Sequence, residues 1–142
     1  MYRQARGLTS YGRMANAETD PVKQVVMLYD GAIKFLNLSA EDIAAGDFAA
    51  KGEHSNRAFD ILNYLQSILD FKRGGAVAET LDTLYGSVTR MALRASVTSD
   101  AAMMRRAGEL LLPVRNAWET NAQAAANMSA PPVENSGFAM AG

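Results

Sequence analysis

An all-α fold is predicted: an antiparallel up-down-up-down four-helix bundle with a short N-terminal capping segment. Three observations lead there. Apolar residues recur at helical spacing through four long segments, the apolar/polar alternation of strands never persists, and turns of two to four residues separate the segments, which suits antiparallel neighbours. At 142 residues the chain is one domain with a sizeable core, expected as a capping segment over 1–20, a bundle over 21–127 and a disordered tail over 128–142.

The first helix spans about 21–45. Asp20 is placed to cap it, and Pro21 sits at the first helical position, where a missing N–H costs nothing. Val22, Val26, Tyr29, Ile33, Leu36, Ala40 and Ile43 form one stripe, widened by Val25, Leu28, Ala32 and Phe35. So wide an apolar side needs partners on two flanks, as in a bundle. Gly46 is a good stop and Asp47 a cap for the second helix, near 48–72, with Phe48, Ser55, Ala58, Phe59, Leu62, Leu65 and Leu69 as its core line.

Gly74-Gly75 then breaks the chain. The third helix, near 76–97, places Val77, Leu81, Leu84, Val88, Met91 and Ala95 inward. Ser99-Asp100 offers the next cap, and the fourth helix, near 101–126, aligns Met104, Ala107, Leu111, Val114, Trp118 and Ala122. Pro113 deletes the bond to the Glu109 carbonyl and crowds it, at about 3 kcal/mol in an unadapted helix, so a kink is expected there. That kink either redirects Trp118 or merely accommodates packing.

A formal charge of −1 argues against a nucleic-acid binder, and no apolar run approaches a membrane span. Without cysteine there is neither a disulfide framework nor a thiolate site, which suits a reducing compartment. Arg3, Arg6 and Arg13 precede the first acid, Glu18, without the apolar core of a signal peptide. A di-iron bundle needs Glu and Glu-x-x-His pairs, yet the single histidine, His54, follows Lys51 at that spacing and reads as a partly exposed packing residue. Asp60 and Asp70 fall on the polar arc as solvated charges, and one histidine with no cue to a partner acid makes no nucleophilic triad. No cofactor and no enzymatic activity are expected.

What the chain has is surplus apolar surface. Beside the core line of the second helix, Ile61 and Ile68 widen one edge and Tyr64 and Phe71 continue it. Tyr85 and Leu93 lie off the core line of the third helix, and Met27, Gly31 and Leu38 lie opposite the stripe of the first. Grouped apolar residues of this kind suggest a binding surface, with packing against a loop or the N-terminal segment as the alternative. A mid-helix glycine costs about 1 kcal/mol relative to alanine, so Gly31 points to close approach or to backbone adjustment. A groove lined in this way suits a disordered partner that lays amphipathic pieces between helices, over an area large enough to offset the cost of ordering it. Leu8, Tyr11 and Met14 recur every three residues, as one apolar edge of a short helical turn.

The run Met27-Leu28-Tyr29-Asp30-Gly31-Ala32-Ile33 resembles the signature of the flagellar secretion chaperones, the FliS family. The likeness continues through Gly46-Asp47, Lys51 to Leu62, Leu69-Asp70 with Gly74-Gly75, Leu84-Tyr85, Asp100 and Ala117-Trp118, over about residues 8–120. The resemblance implies an antiparallel bundle in the cytoplasm that binds the disordered C-terminal region of flagellin, prevents premature filament assembly and aids flagellar type III secretion. It implies a flagellin-binding surface over Ile61, Tyr64, Leu65, Ile68, Leu81, Leu84, Tyr85 and Val88, and a cap of Leu8 and Tyr11 over that groove in the free protein. The flagellar export gate is a further implied partner, and a weak homodimer is compatible with the client-free state. The chain departs from the family's pattern at Ser87, at Met103-Met104-Arg105-Arg106 where an acidic stretch is common, and at Pro113. The alternative reading is a helical adaptor or structural module that homodimerises through its exposed apolar strips.

Overall fold

The computed structural model describes residues 20–120. These form α1 (Pro21–Ala45), α2 (Phe48–Ser67), α3 (Phe71–Thr98), α4 (Ala101–Glu109) and α5 (Leu112–Thr120), with no strand among the described residues. The proposed cap residues Leu8 and Tyr11, with Met14, the end of the fourth helix including Ala122, and the 128–142 tail lie outside the described residues.

Each of the helices α1 to α4 starts where a carboxylate caps it. Asp20 accepts from the N–H groups of Val22 (3.0 Å) and Lys23 (3.3 Å), Asp47 from Ala50 (3.1 Å), and Asp100 from Met103 (3.0 Å). Gly46, at φ 75°, ends α1 while the Asp47 N–H reaches back to the Asp42 carbonyl at 2.9 Å. Ser99 closes α3 in the same left-handed region, with the Asp100 N–H on the Ala95 carbonyl at 2.9 Å.

Two boundaries differ from the sequence expectation. The second helix stops at Ser67 instead of near 72, because Asp70 is not a solvated charge on its polar arc but the cap of the next helix, accepting from the Arg73 N–H at 3.0 Å. The third helix therefore begins with one turn ahead of Gly75, whose φ of 50° and ψ of −123° break the helical path there. The fourth helix is broken by Pro113 and not merely kinked. α4 ends at Glu109, the Leu111 N–H turns back to Gly108, and Pro113 becomes the second residue of α5, where it has no carbonyl to serve.

α1 is the central element, packing on α2 along one side and on α4 and α5 along another, while α3 packs on α2 and α4. Its predicted stripe is buried except for half-buried Ile33, and the widening residues Val25, Leu28, Ala32 and Phe35 are buried as well. With partners on both flanks the buried arc reaches Gly31, so Gly31 does not face away from the core; Met27 and Leu38 are half-buried.

Cross-links at several levels fix how the helices lie. Ser39 and Ser55 hydroxyls meet at 2.6 Å between α1 and α2, and His54 Nδ1 lies 2.6 Å from Asp42 Oδ2 with its ring 6.1 Å from that of Phe35. The Gln66 amide donates to Asp82 Oδ1 at 2.9 Å and the Lys51 ammonium to the Ser96 carbonyl at 3.0 Å, joining α2 to α3 at both ends. The Arg115 guanidinium grips Asp30 with two bonds, Nε at 2.7 Å and Nη2 at 3.2 Å, so the broken fourth helix is tied to α1 through an acid of the signature run.

Gly108 is buried where α4 packs on α1. A Cβ there would lie 3.6 Å from both Leu36 Cβ and Asn37 Oδ1, and 3.8 Å from the Ile33 carbonyl, which is ordinary contact. Gly108→Ala is thus expected to stabilise the fold by about 0.5–1 kcal/mol through helix propensity, whereas Gly108→Leu overfills the contact and costs about 1–3 kcal/mol. Urea melts of the two variants check both signs.

Candidate functional site

The third helix presents a different column of side chains to the core than its sequence pattern suggests. Leu81, Val88 and Ala95 are buried as expected. Their companions are Ala78, Tyr85 and Ala92, not Val77, Leu84 and Met91, each of which lies one residue earlier. Two alanines let the neighbouring helices come close, and the space between them is filled by a tyrosine. Tyr85 is therefore a core residue and not part of an exposed strip, and its hydroxyl meets that of Tyr29 at 2.5 Å.

This pair joins α1 to α3 inside the bundle, with ring centroids 6.2 Å apart. Burial pushes the Tyr29 hydroxyl up to about 12, partly offset by hydrogen bonding with Tyr85 and Trp118. Burial pushes Tyr85 up further, aided by the proximity of Tyr29. Both stay neutral, so the pair is a structural hydrogen bond with no ionised oxygen for acid–base work.

The eight residues assigned to a binding surface divide by depth. Ile61, Leu65, Leu81, Tyr85 and Val88 are buried in the core. Tyr64, Ile68 and Leu84 are half-buried, packed against that core with part of each side chain open to solvent. The deep five support the surface from below, and only the other three offer direct contact in this state.

Exposed apolar side chains extend the surface at both ends of the α2–α3 pair. At the turn between them stand Phe71, 49% exposed, and Val77, 55% exposed. At the opposite end stand Leu93, 46% exposed, Val97, 83% exposed, and Phe48, 55% exposed, the last beneath the Lys51 ammonium that reaches α3. Phe48 and Val77, expected in the core, are exposed: Phe48 is the first residue of α2, and Val77 follows directly on the break at Gly75 in α3. Leu93 does lie off the core line, as its place on the wheel suggests. Val97 escaped sequence reading because it falls in the last turn, beyond the regular stripe.

Among the described residues, no three of His, Cys, Asp or Glu gather closely enough to hold a metal ion, and no helix is long and apolar enough to cross a membrane. The chemistry on offer is apolar contact bordered by hydrogen-bonding groups. The class this defines is an all-helical protein with grouped apolar side chains open to solvent.

The sequence matches the family described as flagellar protein FliS over residues 4–125, and the chain belongs to that family. It is 32% identical to the flagellar secretion chaperone FliS of Salmonella typhimurium over 120 residues, covering 81% of this chain and 89% of that protein. It is 32% identical to the protein of the same name from Vibrio cholerae over 99 residues, 70% of this chain and 73% of the other. The Bacillus subtilis counterpart is 25% identical over 111 residues, 78% and 82% of the two chains. The family is one of chaperones, not of enzymes.

Proposed function

We propose that this chain is a cytoplasmic export chaperone whose client is the disordered C-terminal region of flagellin. It holds that region out of premature polymerisation and delivers the subunit to flagellar type III secretion. The observation that carries this reading is the group of open apolar side chains on α2 and α3 in a chain of a flagellar secretion chaperone family. Apolar contacts of this kind, spread over two helices, suit a segment that wraps the bundle in extended and helical pieces.

In this reading the four helices run up-down-up-down, which accords with Gln66 meeting Asp82 and Lys51 meeting Ser96 across α2 and α3. The client touches Tyr64, Ile68 and Leu84 directly, while Ile61, Leu65, Leu81, Tyr85 and Val88 hold the floor of the groove. Leu8 and Tyr11 cap the surface when no client is bound. The export gate is the partner that receives the loaded complex.

Calorimetric titration of the protein with a peptide of the flagellin C-terminal region tests the reading. Saturable binding with a negative heat-capacity change is expected, since apolar surface is buried. In the same titration Tyr11→Ala changes client affinity while leaving the melting temperature in place. Absence of heat and of any competing signal with the wild-type protein contradicts the assignment, and a large stability loss in Tyr11→Ala with unaltered binding contradicts the cap.

A further inference from the structure

A groove of about 900 Å³ lies between α3 and α4, one heptad along from Leu84 at Met91. Its floor includes the half-buried thioethers of Met91 and Met103. Its walls carry Arg90 and Arg94 from α3 and Arg105 and Arg106 from α4. We propose that this groove is a second protein-binding site, which takes an acidic amphipathic segment.

The arginines are set apart by what they lack. The guanidinium groups of Arg94, Arg105 and Arg106 make no hydrogen bond or ion pair with any described residue, and that of Arg90 reaches only the Ser87 hydroxyl, at 3.4 Å. Elsewhere the arginines are engaged: Arg115 with Asp30 and Glu119, Arg73 with Asp70, and Arg57 over the Phe35 ring. The two acids beside the groove do not neutralise the four cations. Asp100 uses an oxygen to cap α4 through the Met103 N–H, and Glu109 stands exposed.

Arg90 and Arg94 lie one helical turn apart on α3, a spacing at which like charges destabilise a helix. The free protein keeps this repulsion although the chain as a whole carries a net charge of −1. Carboxylates entering the groove relieve it, and guanidinium groups match their planar geometry with paired bonds. Methionines beneath supply an adaptable apolar floor for a side chain between those carboxylates. Charges on two facing walls fit a rod-like segment better than a flat bilayer, and carboxylates at the rim with no aromatic ring for base stacking disfavour nucleic acid.

The test uses the full chain with its methionine methyl groups labelled for NMR. The probe is a synthetic helical peptide with glutamates one turn apart on either side of a leucine, and the control carries lysines in place of the glutamates. The glutamate peptide is expected to shift the Met91 and Met103 methyl signals saturably, more weakly as salt rises, while the lysine peptide leaves them unmoved. Arg94→Glu with Arg105→Glu, both on exposed positions, weakens the interaction about tenfold or more, and Arg94→Gln with Arg105→Gln weakens it less. Equal response to both peptides, no shift at Met91 and Met103, or undiminished binding by the charge-reversed protein overturns the proposal. So does displacement of the peptide from these methyl groups by a DNA duplex or by anionic vesicles at lower concentration, which would make the groove a phosphate site.

Discussion

Tyr85→Ala is expected to destabilise the bundle by about 3–5 kcal/mol, the largest effect of any substitution considered. Tyr85 is fully buried and fills the space between Ala78 and Ala92 on its own face, so its removal leaves a void that no neighbour on α3 is large enough to occupy. Tyr85→Phe keeps the ring and removes the hydroxyl, which deprives the Tyr29 hydroxyl of its partner across the core and costs about 1–3 kcal/mol. Tyr29→Phe leaves the Tyr85 hydroxyl without a partner and also removes the hydroxyl that Trp118 bonds, so it is expected to cost more than Tyr85→Phe, which leaves Tyr29 its bond with Trp118. The double variant, with both hydroxyls gone and both rings kept, is expected to lose far less than the sum of the single changes. Urea unfolding of the four proteins measures the coupling, and additive losses would show that the pair contributes nothing as a pair.

The same pair gives the fold an alkaline limit. Free tyrosine ionises near 10.0, while Tyr29 in the folded protein is held up to about 12 and Tyr85 is held up as well. Raised values mean that the folded state keeps protons the unfolded chain releases. Their contribution to stability is therefore fully present below pH 10 and is lost as pH rises from there through the folded values. In the Tyr29→Phe, Tyr85→Phe double variant this decline is smaller, and half-buried Tyr64, also raised by burial, accounts for part of what remains.

Val77→Asp with Leu93→Asp is expected to lower flagellin affinity about 100-fold, roughly tenfold for each lost apolar contact. Both side chains are about half exposed, so the melting temperature stays close to wild type and the loss lies in binding. The two sites stand towards opposite ends of α3, so a client that wraps the bundle touches both and one that docks at a single end touches only one. Single variants separate these cases. Unchanged affinity in the double variant places the client elsewhere.

Three of the caps, the Gly46 stop and the α1 stripe were legible in the sequence because each rests on local chemistry. Asp20, Asp47 and Asp100 announce helix starts, Gly46 announces a stop, and α1 has a stripe wide enough to survive small errors of register. The α3 register was harder to read. Leu81, Val88 and Ala95 belong to either of two adjacent columns, and size favoured Leu84 and Met91 over Ala78 and Ala92. The missing clue was a polar one: buried Tyr29 needs a hydroxyl partner, and Tyr85 is the residue that supplies it. The depth of Ile61 and Tyr85 depends on which helices pack around them, which no single helical wheel contains. Asp70 was misread because a carboxylate on the polar arc of one helix and a carboxylate capping the next look alike until the turn is placed.

The central claim is that the open apolar surface of α2 and α3 serves the C-terminal region of flagellin. Size-exclusion chromatography of the purified protein mixed with full-length flagellin, and with flagellin trimmed at its C-terminus, tests it most directly. A stable one-to-one complex with the full-length subunit, lost on trimming, is the predicted result. An undiminished complex with the trimmed subunit, or no complex with any flagellin of the same cell beside a concentration-dependent dimer of the protein alone, would contradict it.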